Sequence, residues 1–426
     1  MDIRNALHRM TTPVLMLGRS DPELVRRVEV AQLKDERARR RKGLASLPAK
    51  TLTVATGLDV GALTVRPIDA LARLARVTAL TVEDDVFAAY AQWGWLRYLG
   101  AFDHMSTPPQ LALDGGAIRY VHANQRRVMS EELGVGFGVL LAEEWCRSQG
   151  ASGTIRTVDV DKALRDHVGF PGLAQAPGSQ RQPDYLLQFA SPTSPGTLES
   201  RLLETKGTVS ASNAISQLAH AGTQLASLVL DGVTPQGIAI STISSEAGVT
   251  YLAVDPDGNV PPWKPDPEVI DRAKWKRPSV EKGDGLLKMS RDEFFASATV
   301  TANAGLADFA GLNETAARWL PEDAILQTRR RSKPYKRIST DRGDYSGAEF
   351  EITAPGGEGL LTVFQGVERA VEEALESGSD DRVRAAQDRF SRAHDERPTL
   401  NDESSDQVAT SINSEGAILR ISLRDR

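Results

Sequence analysis

The run RQPDYLLQF, residues 181–189, places Asp184 at the start of an apolar strand. After a Pro/Ser/Thr-rich gap, RLLETKGT, residues 201–208, carries Glu204, Thr205 and Lys206 at the end of another. Side chains alternate along a strand with period two, so Glu204 and Lys206 point to one side and Thr205 to the other. If the two strands are neighbours, two carboxylates and an ammonium converge, with the Thr205 carbonyl beside them. Oxygen ligands of this kind suit a hard divalent cation such as magnesium, which keeps several waters, so two acids and a carbonyl suffice as the protein's share. A cation held there can neutralise a phosphate, activate a water and assist a leaving oxygen, while a lysine next to it orients or deprotonates that water. The chemistry this set could perform is phosphodiester hydrolysis. No other lysine of the chain has an acid two residues before it.

The elements that must position these residues can be read around them. SEELGVGFGVLLAEEWCRSQG (130–150) reads as a helix, with Ser130 as its N-cap and Gly150 closing it. TIRTVDV (154–160), DYLLQF (184–189) and LESRLLETKG (198–207) are short, apolar or alternating, and bounded by turn residues, as strands are. ASNAISQLAHAGTQLASLVLDG (211–232) returns to helical spacing through Ile215, Leu218, Ala219, Leu225 and Leu228. QGIAISTIS and GVTYLAVD follow as a strand pair. Helix, three strands, helix and two strands predict an α/β unit over 126–260: a mixed sheet flanked by helices.

Pro183-Asp184 followed by Glu204-Thr205-Lys206 resembles the PD-(D/E)xK phosphodiesterase superfamily, the restriction-endonuclease-like nucleases, over roughly residues 130–255. The resemblance implies a core of a helix, three strands, a helix and a further strand. It also implies that Asp184 and Glu204 ligate magnesium or manganese with the Thr205 carbonyl, and that Lys206 is the catalytic lysine. In branches related to recombination nucleases a glutamine on the following helix contributes, and Gln217 occupies that place. Another common feature, a glutamate in the middle of the preceding helix, is not clearly present, since Glu131, Glu132, Glu143 and Glu144 stand only at the ends of GVGFGVLL. The function implied is a metal-dependent nuclease acting on DNA, most often in bacterial restriction or anti-phage defence. The alternative is a catalytically inactive protein that keeps the nuclease fold as a nucleic-acid-binding or scaffold module. Such a protein would normally have lost one of the three motif residues, and all three stand here.

A chain of 426 residues with 40% hydrophobic content is long enough for two or three domains. Residues 1–125 read as a mainly helical N-terminal domain. Residues 261–426 read as a helical stretch to about Leu320, a hairpin around Pro355, Gly356, Gly357 and Gly359, a helix, and a charged, partly mobile tail. These flanks are expected to serve recognition, homo-oligomerisation or a protein partner. A net charge of −6 argues against uniform attraction to polyanions, so nucleic acid must be met by local patches. RARRRKG (37–43) reads first as a solvated helix face. RRRSKPYKR (329–337) reads as an exposed loop in which Arg329, Arg330, Arg331, Lys333, Lys336 and Arg337 could pair with phosphates and Tyr335 could stack on a base.

Other chemistries are less well served. Cys146 is the single cysteine, so neither a disulfide framework nor a cysteine zinc site can be built, and a reducing compartment is expected. No stretch has the length and apolarity of a membrane span and no cleavable leader is evident, so the expectation is a soluble, cytoplasmic protein. The six histidines lack metal-ligand spacing, with His220 near Gln217 the one of interest. GVGFG (134–138) has no strand before it, so its glycines are expected to serve helix packing rather than a dinucleotide. GDYSG (343–347) lacks the spacing of a serine-hydrolase elbow.

Overall fold

Eighteen strands and nine helices of 7 residues or more are found among the described residues of the computed structural model, which are 2–79, 93–105, 107–164, 182–245, 247–265, 270, 281–283, 286–320, 335–354, 359–395 and 407–424. The helices are α1 (Ile3–Thr11), α2 (Pro22–Arg41), α3 (Pro67–Val77), α4 (Ala123–Ser148), α5 (Ala211–Leu225), α6 (Arg291–Phe309), α7 (Asn313–Trp319), α8 (Arg369–Glu376) and α9 (Asp380–Asp395). The strands of the largest sheet are β1 (Val14–Arg19), β2 (Leu52–Thr53), β3 (Ala62–Val65), β4 (Phe102–Met105), β5 (Gln110–Leu113), β6 (Ile155–Asp159), β7 (Tyr185–Ala190), β8 (Leu198–Thr208), β10 (Gly237–Ser245) and β11 (Gly248–Pro256). β9 (Leu228–Leu230), β12 (Glu281–Gly283) and β13 (Leu286–Met289) make a small sheet. β14 (Tyr335–Thr340), β15 (Gly343–Thr353), β16 (Leu360–Glu368), β17 (Val408–Ile412) and β18 (Ala417–Arg424) make a third.

The fold is α/β, with a large mixed sheet flanked by helices. Its order is β4-β5-β1-β11-β10-β8-β7-β6, with β3 on β1 and β2 on β11. β6, β7 and β8 form an antiparallel meander, β8 runs parallel to β10, and β10 and β11 form a hairpin. Helix α5 is the crossover between parallel β8 and β10, a connection too long for a tight turn. It covers the face to which Leu202 points: a Cβ built on Gly237 would touch both Leu202 and Leu225 at 3.0 Å.

Helix α4 covers the opposite face, and glycines let it approach. A Cβ on Gly134 would lie 2.8 Å from the Gly207 Cα in β8, and one on Gly138 would lie 2.5 Å from the Thr205 Cγ2. Gly136 makes the same allowance for α3, where the Ala70 carbonyl would be 2.5 Å away. The glycines of GVGFG are therefore packing residues, as expected. The helix starts earlier than the sequence suggests, at Ala123. Ser130 is not its N-cap but an interior residue whose hydroxyl donates to the Arg126 carbonyl at 2.8 Å. That bond to the residue four back is how serine is accommodated inside a helix.

The flanks depart from expectation in particular places. Residues 1–125 carry the helices α1, α2 and α3, but they are not a separate domain, because β1, β2, β3, β4 and β5 extend the same sheet, with β1 parallel to β11. The short run VLMLGR is too brief to reveal a partner so far along the chain. The stretch expected to be helical up to Leu320 contains, among the described residues, β12 and β13 before α6 and α7. Two alternating runs do flank the expected hairpin, as β15 and β16 with Thr353 opposite Leu360; its tip, 355–358, lies outside the described residues. The charged tail contains α9, whose Val383, Ala386 and Phe390 share one buried face. Asp380 at its start is buried against Arg156 of β6 at 2.9 Å, and Arg76 of α3 meets Glu415 at 3.1 Å. Buried ion pairs of this kind tie α9 and the β17–β18 turn to β6 and α3, and one apolar cluster runs from Leu7 to Leu423. No described helix is long and apolar enough to cross a membrane.

Gly207 is the tightest of these approaches: a Cβ there would sit 1.7 Å from the Ser130 carbonyl oxygen, with backbone on both sides. Gly207→Ala should therefore cost about 3 kcal/mol or more in urea unfolding, by overpacking. Gly115→Ala, with open space around the Cβ, should change stability by less than about 1 kcal/mol. Equal stability of the two variants would show that α4 does not press on β8 in this way.

Candidate active site

β7 begins at Tyr185 opposite Leu203 of β8, so Asp184, one residue earlier, falls beside Glu204. The two residues hold each other through the backbone. The Asp184 amide donates to Glu204 Oε2 at 3.0 Å, and the Thr205 amide donates to Asp184 Oδ2 at 3.0 Å, with the Thr205 hydroxyl adding a bond at 3.2 Å. A carboxylate that accepts amides is oriented as well as solvated by them. Lys206 points to the same face as Glu204, and its ammonium donates to Glu204 Oε1. Asp184, Glu204 and Lys206 therefore converge, as their spacing along the two strands suggests.

Their electrostatics are those of a crowded, partly dry site. Glu204 is fully buried and Lys206 is about a quarter exposed. Burial first, then the neighbouring Asp184, push the Glu204 carboxyl well above the usual carboxylate range, and Lys206 opposes this. Burial also raises Asp184, against the pull of Lys206, the two bonds from Thr205 and a hydrogen bond with the Glu204 carboxyl itself. Two acids facing one ammonium leave a carboxylate charge uncompensated, and like charges at this range cannot both ionise easily. A divalent cation would remove that conflict. The donor set fits it: carboxylate oxygens from Asp184 and Glu204, with the Thr205 carbonyl in the same strand. Among the described residues no group of three or more His, Cys, Asp or Glu side chains is placed to hold a metal ion, so the protein's share here is two acids.

Gln217 also reaches this place. From α5 its Nε2 donates to the Gly207 carbonyl at 3.2 Å, and its Oε1 accepts from Ser241 Oγ at 3.2 Å. Ser241 stands beside Lys206 in the parallel β8–β10 register and is fully buried. Sequence reasoning misses it because a serine in an apolar strand carries no signal until the register is known. The glutamates of α4 are engaged elsewhere: Glu143 pairs with Arg73 at 2.9 Å, Glu144 with Arg147, and Glu132 with Arg97 and Tyr98. Glu131 is exposed, where the helix crosses Gly207. His220 faces away and pairs with Asp35 of α2 at 2.7 Å.

The basic stretches do not join this site directly. Arg329, Arg330, Arg331 and Lys333 lie outside the described residues. Tyr335, Lys336 and Arg337 open the edge strand β14 rather than a loop. Lys336 is paired with Glu349, while Arg337 donates to the Tyr335 hydroxyl at 3.2 Å, which in turn donates to Glu372 at 2.8 Å. At the end of α2, Arg37, Arg41 and Lys42 are exposed. That helix packs on α5, the Gln217 helix, through Gln32 to the Ala219 carbonyl and through Asp35 to His220.

Comparison with known proteins finds no matching family model, no matching curated protein and no matching solved structure.

A carboxyl raised in the folded state keeps a proton that the unfolded chain has released, so its contribution to stability falls as pH rises above the usual carboxylate range. In chelator, Glu204→Gln should therefore melt no lower than the unsubstituted protein at pH 8. Its advantage should shrink toward pH 4, and paired melting curves across that range check both. A variant that is less stable at pH 8 and gains relative to the parent on acidification would show that Glu204 is held as a stabilised anion.

Proposed function

We propose that this chain is a metal-dependent nuclease that hydrolyses phosphodiester bonds of DNA. The observation that carries the proposal is the meeting of Asp184 and Glu204 across β7 and β8, with Lys206 on the same face and bonded to Glu204. Support also comes from the order α4, β6, β7, β8, α5, β10, which is the helix, three strands, helix and strand that resemblance to the PD-(D/E)xK superfamily implies. On this reading the protein belongs to the restriction or anti-phage activities of a bacterial cytoplasm, with magnesium or manganese as its cofactor.

Asp184 and Glu204, with the Thr205 carbonyl, would hold the cation, which when bound supplies charge neutralisation at the phosphate and a more acidic water. Lys206 positions that water and takes part in moving its proton; its bond to Glu204 keeps the ammonium at the metal side of the strand. Gln217 ties the crossover helix to the end of β8, through the Gly207 carbonyl, and so fixes the wall facing Lys206. The reciprocal amide bonds keep the carboxylates from turning toward solvent before substrate arrives, which is preorganisation rather than chemistry.

Glu204→Ala and Lys206→Ala should each lower cleavage of plasmid DNA in magnesium by at least about a hundredfold. Circular dichroism should remain that of the folded protein. Asp184→Asn should demand more metal to reach a given rate. Full activity in Glu204→Ala or Lys206→Ala would refute the assignment.

DNA must be held by a chain of net negative charge, and the exposed end of α2 is a basic surface that packs beside the Gln217 helix. Each neutralised phosphate releases condensed counterions, so replacing Arg37, Arg41 and Lys42 by alanine should flatten the slope of log affinity against log salt. The change should be about 0.9 for each duplex phosphate that is no longer neutralised. Cleavage of saturating substrate should change little. An unaltered slope would assign this run to a solvated helix face.

A further inference from the structure

Residues 115–130, GGAIRYVHANQRRVMS, hold three arginines, one histidine and no acid, in a chain whose net charge is −6. They form the turn before α4 and its first two turns, and Arg119, Tyr120, His122, Asn124, Gln125 and Arg127 are all exposed. Exposed charge is most often a solvated helix face. On such faces of this protein, arginines pair with a glutamate within one turn, as Arg26 does with Glu23, Arg40 with Glu36 and Arg369 with Glu373. Arg119 and Arg127 have no ion-pair partner among the described residues, although Glu131 stands four residues after Arg127. Arg126 meets only backbone: it donates to the Val121 carbonyl at 2.7 Å and to the Ile118 carbonyl at 3.2 Å. Its charge is likewise uncompensated by a carboxylate, and it braces the turn that carries Tyr120.

Tyr120 sets this surface apart from a solvated face. At 71% it is the most exposed large hydrophobic side chain among the described residues, and the Arg119 guanidinium lies over its ring, 4.8 Å from the centroid. A ring left open to water forfeits the burial that aromatic side chains usually obtain. Beside unpaired guanidiniums it makes a platform for single-stranded nucleic acid, with base on ring and phosphate on arginine. A duplex hides its base faces in the stack, so such a ring takes an unpaired strand. The place of the platform in the fold agrees. A Cβ on Gly138 would meet the Thr205 Cγ2, one on Gly134 the Lys206 carbonyl carbon at 3.0 Å, and one on Gly207 the Ser130 carbonyl oxygen. Helix α4 therefore runs antiparallel to β8, and its first turns lie toward the end of the strand that follows Lys206. That is the end of the sheet at which Asp184 precedes β7. The platform is on the face opposite to the Glu204 and Lys206 side chains, so it is no part of the cation site. A strand of DNA continues on both sides of the bond to be cut and can reach both.

We propose that this surface binds an unpaired stretch of DNA, Tyr120 stacking on a base and Arg119 and Arg127 pairing with phosphates, and that it delivers the strand to the Asp184–Glu204 site. Delivery rests on the nuclease reading; binding does not. Fluorescence anisotropy of the full chain with labelled oligothymidine and with a labelled duplex, both in chelator, measures binding alone. Oligothymidine should bind. Tyr120→Ala should weaken it about tenfold, as loss of one stacked base does, while Tyr120→Phe keeps the ring and should bind normally. Replacing Arg119 and Arg127 by alanine should flatten the slope of log affinity against log salt by about 0.7 for each single-strand phosphate no longer neutralised. Duplex affinity should change less than about twofold in Tyr120→Ala. These side chains are exposed, so all the variants should melt with the unsubstituted protein. In magnesium, Tyr120→Ala should raise KM for single-strand cleavage and leave kcat unchanged. Binding at this surface is overturned if oligothymidine does not bind, if Tyr120→Ala binds it normally, or if that variant loses duplex and single strand alike. It is also overturned if polyglutamate of equal charge displaces the labelled strand as well as unlabelled oligothymidine does. An unchanged KM overturns delivery. Tyr120→Ala losing the single strand while Lys206→Ala still cleaves would refute the nuclease reading and leave the binding surface standing. Lys206→Ala losing cleavage while Tyr120→Ala binds normally would do the opposite.

Discussion

Everything at the centre of this protein depends on a reciprocal clasp. The amide of Asp184 is held by the carboxylate of Glu204, and the amide of Thr205 by the carboxylate of Asp184. Each acid thereby serves as a hydrogen-bond partner for the other's strand at the point where β7 begins and β8 continues past it. The arrangement brings two carboxyl groups closer than their charges favour in a buried place. It is tolerable because the amides and Lys206 offset part of the repulsion. On the nuclease reading proposed above, a cation bound there would complete the compensation that the protein leaves unfinished.

The surrounding architecture serves that clasp from both faces. On one side α4 comes close enough to touch the β8 backbone only because Gly134, Gly138 and Gly207 carry no side chains at the crossing. On the other, α5 reaches the strand with Gln217 and Ser241 bridging helix, β8 and β10. The strand that carries Glu204 and Lys206 is thus fixed through its backbone, which leaves its side chains free to face the site. Helix α9 and the β17–β18 turn are joined to β6 and α3 by ion pairs, Arg156 with Asp380 and Arg76 with Glu415, buried almost completely. Such pairs contribute little net stability against apolar alternatives but penalise any other docking of the parts strongly.

Much of the site is legible in the sequence because it is local. Three residues in a row on one strand declare their relative directions through the period-two rule, and the Pro-Asp at the start of the strand before it meets them once the two strands pair. The strands at 155–159, 185–190 and 198–208 and the helix at 211–225 are visible in the same way. What stays hidden is non-local. VLMLGR does not say that it will lie beside residues 250–252, and the strands at 408–412 and 417–424 follow a polar stretch that resembles a loose tail. Ser130 looks like a helix start because the turns before it, NQRRV, are polar; they are helical all the same, on a solvated face. Ser241 becomes visible only once register places it next to Lys206.

The most direct test of the central claim is to see the cation. Crystals grown with manganese, measured at a wavelength where manganese scatters anomalously, should show one peak at the Asp184 and Glu204 carboxylates, and crystals of Asp184→Asn grown in the same way should show it weakened or absent. Manganese absent from that position in the unsubstituted protein, or bound only at other acidic groups, would contradict the account.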